Sequence, residues 1–76
     1  MEISPGVTVD PTVHHGAPVV AGTRVPVSLV VGSLAGGMTK EQVMEEYTLT
    51  KKQVEAALAY AASLVAETEV LPLAGV

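Results

Sequence analysis

A chain of 76 residues, 49% hydrophobic and 16% charged with a net charge of −4, holds material for one small domain, since ordinary domains begin at about 50 residues. The absence of Cys excludes a disulfide scaffold, a thiolate metal site and a cysteine nucleophile. Four Lys and Arg against eight Asp and Glu argue against nucleic-acid binding by bulk charge, because phosphate neutralisation needs clustered cations.

From Met1 to Pro26 the chain is rich in Pro, Gly and β-branched residues. Val7-Thr8-Val9, Pro18-Val19-Val20 and Thr23-Arg24-Val25 read as short strands, punctuated by Asp10-Pro11, Gly16-Ala17-Pro18 and Ala21-Gly22-Thr23. Segments this short do not hold a sheet together alone, so residues 1–26 are expected to form a β-arm lying on helices or on another chain. After Pro26, Ser28 is expected to cap a helix reaching about Leu34, stopped by Gly36-Gly37 with Met38 packing back on the last turn. On composition alone Val25 to Val31 reads equally well as a buried strand.

Two capping boxes follow, Thr39-Lys40-Glu41-Gln42 and Thr50-Lys51-Lys52-Gln53, in which a hydroxyl and a glutamine satisfy orphan backbone amides reciprocally. The first opens a helix to about Tyr47, acidic outside at Glu41, Glu45 and Glu46, with Val43, Met44 and Tyr47 inward. The second opens a helix to about Ala66, apolar at Val54, Ala57, Leu58, Ala61 and Val65. The connector between them is so short that a helix-turn-helix corner or an antiparallel hairpin must result.

No apolar run approaches the roughly 18 residues of a membrane span, and the N-terminal residues lack a signal-peptide pattern; a cytoplasmic location without membrane contact is expected. The core must be fine-grained, since Phe and Trp are missing and only Tyr47 and Tyr60 carry rings against fourteen Val and ten Ala. Scaffolds below about 70 to 80 residues lean on disulfides, metals or association. A homodimer is therefore expected.

Candidate chemistry is sparse. His14-His15 suggests a metal, but neighbours in an extended strand point to opposite faces and no further ligand stands at helical spacing; exposed or structural histidine is expected, and no metal or cofactor. Arg24, the single arginine, either clamps Asp10 or nearby carbonyls, or meets a phosphate or partner carboxylate. Glu41, Glu45 and Glu46 read as a solvated face. Lys51 and Lys52 stand in the first turn of the last helix, where the dipole is positive. They are either solubilising or, in a helix-turn-helix, part of a DNA-reading edge made of Lys51, Lys52, Gln53 and Glu55, with Lys40 nearby. The same helix shows Ala59, Tyr60 and Ala62 where a charged face is expected, and Val70, Leu71 and Leu73 make the tail apolar. These six are candidate contacts to a second chain or a partner. No nucleophile, base and orienting group converge and no phosphate loop is present, so the chain is not expected to be an enzyme.

Asp10-Pro11, Val13, Gly16, Pro18 and above all Gly22-Thr23-Arg24-Val25-Pro26-Val27 resemble the bacterial domain of unknown function 433 family. Gly37-Met38-Thr39, Glu41, Val43, Tyr47, Leu49-Thr50, Val54 and Ala56 to Ala61 continue the likeness, which covers about residues 7–64. The step Tyr47-Thr48-Leu49-Thr50 is shorter than the family's usual spacing, implying an altered turn. The resemblance implies a mainly α, homeodomain-like three-helix core of winged-helix type at residues 27–66 behind the β-arm, with residues 67–76 as a tail of the same single domain. It also implies an antitoxin-like protein that binds a PIN-like ribonuclease toxin and operator DNA. The alternative is a homodimeric protein-interaction module that binds no DNA.

Overall fold

Pro5-Gly6 and Asp10-Pro11 close tightly around Val7, Thr8 and Val9, leaving room for a strand of two residues. In the computed structural model, which describes residues 1–68, this strand is β2 (Val7–Thr8), between β1 (Glu2–Ser4) and β3 (Val19–Val20). The three form an antiparallel sheet in the order β1-β2-β3, with Glu2 opposite Thr8, Ser4 opposite Val7, and Val7 opposite Val20. Three helices follow, α1 (Val27–Ala35), α2 (Lys40–Tyr47) and α3 (Lys51–Thr68). The protein is thus mainly helical with a small sheet.

The sheet is no detached arm. Val7 and Val20 are fully buried and join Val27, Val30, Val43, Leu49, Val54 and Ala57 in one cluster. The core is therefore lined by valines from every layer. Each contributes about 1.5 kcal/mol of burial, and such short side chains require backbones to approach closely. At Gly6 a Cβ would stand 2.7 Å from the Ala56 Cβ, and its φ of +80° is one that side chains rarely adopt.

Thr23-Arg24-Val25, expected as a strand, forms none: Thr23 is a bend that follows the Ala21-Gly22 turn, and Arg24 and Val25 are irregular. The Thr23 hydroxyl donates to the Val20 carbonyl at 2.7 Å and accepts from the Val25 N–H at 3.0 Å, which bends the chain back so that Val20 N–H reaches the Val25 carbonyl at 2.9 Å. The expectation that Ser28 caps the first helix is likewise corrected. Pro26 occupies the cap position, with no side-chain bond. The amide of Val27 donates to the Pro18 carbonyl at 3.0 Å, so the helix start is satisfied by the sheet and needs no hydroxyl. The end of α1 follows the expected glycine stop: Gly37 takes φ +111°. The Gly37 and Met38 amides then donate to the Leu34 and Ser33 carbonyls at 3.1 Å each, a Schellman ending.

Both capping boxes form. Gln42 and Thr39 exchange bonds of 3.1 and 2.8 Å, and Gln53 and Thr50 do the same. Between them Thr48 is left-handed at φ 55°, ψ 53°, a conformation costing roughly 1–2 kcal/mol outside glycine, and Leu49 drops into the core. The Tyr47 hydroxyl meets Ser33 Oγ at 2.8 Å, tying α2 to α1.

Replacing Gly6 with Ala adds a steric clash to an unfavourable φ, whereas Gly22, at φ +78°, faces open space. Thermal melts should show Gly6→Ala destabilising by about 2 kcal/mol or more and Gly22→Ala by about 1 kcal/mol. Equal losses would remove the close approach of β-turn and α3 as the reason for glycine at position 6.

Candidate functional site

The Gly22 to Val27 run acts as a fastening. Besides the Thr23 bonds, Pro26 bridges to Val19, and His14 Nε2–H donates to the Arg24 carbonyl at 2.8 Å. A carbonyl only accepts, so a neutral His14 carries its proton on Nε2. His14 and His15 lie in no strand, as their expected alternation required. Both are left-handed, with φ of 50° and 56°, and they lead into Gly16 at φ 85°. Among the described residues no group of three His, Cys, Asp or Glu could hold a metal ion.

Asp10 and Arg24 are both exposed. The carboxylate of Asp10 accepts from the Thr12 N–H at 2.9 Å and the Thr12 hydroxyl at 2.7 Å. These two bonds, the backbone one foremost, hold the Asp10 carboxyl below its ordinary value of 3.8, with the N-terminal ammonium and the Arg24 charge adding after them.

Lys51, Lys52 and Glu55, just after the α2–α3 corner, are exposed, as is Lys40 at the opposite end of α2. Gln53 differs from them: its amide oxygen accepts from the Thr50 N–H, so its side chain is folded back on the cap. Successive residues of a helix are turned by about 100°, and this separates the α3 candidates. Ala62 faces solvent. Ala59 lines a groove of about 550 Å³ between the β1–β2 turn and the first turns of α3, together with Pro5, Gly6, Ala21, Lys52 and Ala56. Tyr60, half-buried, lines a second groove of about 360 Å³ between α1 and the later turns of α3, with Val27, Val31 and Ala61. Val70, Leu71 and Leu73 lie outside the described residues.

The first groove was not visible in the sequence, because its floor consists of small residues drawn from three separate segments. Its walls are held by hydrogen bonds. The Ala21 N–H donates to the Gly6 carbonyl at 2.9 Å and the Gly6 N–H to Glu2 Oε2 at 3.0 Å, while the Thr50–Gln53 box fixes the helix opposite. Both grooves are lined mainly by apolar side chains, the first also by Thr50, Lys52, Gln53 and Glu55 and the second by Ser28 and Tyr60.

A family model described as a protein of unknown function, DUF433, matches residues 7–61. The chain also resembles Rv2018 from Mycobacterium tuberculosis, seen by X-ray crystallography, with a TM-score of 0.62 and 38% sequence identity over 68% of this chain. The match spans 24% of the Rv2018 chain. No curated protein matches.

Asp10 provides a test of the loop. A carboxyl whose folded pKa is lowered contributes stability that is present above the unfolded value and lost as pH falls through the folded one. An NMR titration should place Asp10 below 3.8. In Thr12→Val, which keeps the N–H and removes the hydroxyl, it should rise part of the way back. An unchanged midpoint would show that the hydroxyl bond contributes nothing.

Proposed function

The chain belongs to the DUF433 family, and we propose that it is a non-catalytic, antitoxin-like binding protein that holds a PIN-like ribonuclease toxin. The observation that carries this reading is the division of labour among its side chains. Thr23, Thr39, Gln42, Thr50, Gln53 and His14 all serve turns and caps, whereas the surfaces flanking α3 are lined mainly by apolar side chains. A chain arranged in this way supplies shape to a partner and leaves the chemistry to that partner.

A second reading, operator binding through a homeodomain-like arrangement of the three helices, is favoured by one observation. Lys51 and Lys52 stand exposed on the first turn of α3, immediately after the tight corner, and Lys40 stands exposed on the first turn of α2. In a helix-turn-helix this is the edge that meets phosphates. Gln53 is held back by its cap, so Glu55 is the side chain left to meet a base, with the amino group of cytosine as its partner. The net charge of −4 per chain doubles in the homodimer that this reading includes, and toxin cations are then needed for DNA affinity at physiological salt. A cytoplasmic location follows from such a role.

Inhibition of a PIN-like ribonuclease by the purified protein is the direct assay, and a toxin left fully active sinks the antitoxin reading. For DNA, an operator-fragment titration with and without toxin at two salt concentrations should show Lys51→Ala/Lys52→Ala flattening the salt dependence by about one to two units per protomer. Absence of binding in both samples, with the toxin still inhibited, leaves the interaction-module reading in place. Sedimentation at low micromolar concentration should give a dimer; a monodisperse species of 7.8 kDa removes the homodimer.

A further inference from the structure

We draw no further inference here: the strongest candidate, the apolar groove between α1 and the later turns of α3 lined by Val27, Val31 and Ala61, carries nothing, because nothing in the structure shows what covers it.

Discussion

A core without large rings has to be closed by geometry. Val7, Val20, Val30, Val43 and Val54 are its largest fully buried side chains, with the two tyrosines only packed against the cluster from outside. Backbones must then be brought together and kept there. Directional bonds accomplish what bulk apolar volume does in larger domains. Thr23 folds the chain from β3 toward α1, Pro18 receives the first amide of α1, and Ser33 holds Tyr47. The contact between Gly6 and Ala56 follows from the same constraint. A sheet held this near to α3 tolerates a glycine on one side and an alanine on the other.

This constraint also explains which parts of the fold were legible beforehand. The capping boxes at Thr39 and Thr50 were readable because all of their atoms lie within four consecutive residues, and local chemistry determines them. The α3 periodicity was readable for a similar reason. The sheet was less so: two-residue strands carry almost no period, and β2 and β3 are separated by an excursion through His14 to Gly16 that no pattern announces. Ser28 was misread as a cap because a hydroxyl near a helix start is a local signal. The actual partner of the Val27 amide is the Pro18 carbonyl, nine residues earlier and reached only through the sheet.

The candidate site divides in the same manner. The exposed lysines on α2 and α3 and the single arginine were identifiable as residue types. Their surroundings came only with the fold, including the engagement of Gln53 by its cap and of the Arg24 carbonyl by His14. The grooves were invisible because they are made by what is missing. Gly6, Ala21, Ala56 and Ala59 carry no chemistry that a motif would single out, and only their assembly from two turns and a helix makes a cavity. Tyr60, grouped with Ala59 and Ala62 in the sequence, faces a different groove because neighbours on a helix diverge by about 100°.

The Gly22 to Val27 run has a structural role that its backbone bonds make plain. Its glycine takes φ +78°, its threonine closes the turn, its arginine contributes a carbonyl to His14, and its proline carries the bridge to Val19. Gly22 and Thr23 answer backbone requirements by their residue type, whereas Arg24 and Val25 contribute only main-chain groups, and the Arg24 guanidinium is exposed at the surface. Since this fastening positions β3, and the Ala21 N–H that follows β3 bonds the Gly6 carbonyl, the run shapes the wall of the groove beside α3 from a distance. Substitutions in the run should thus alter what the groove accepts through the placement of its wall, and the same reasoning separates Arg24, whose side chain is free of that duty, from Gly22 and Thr23 before it.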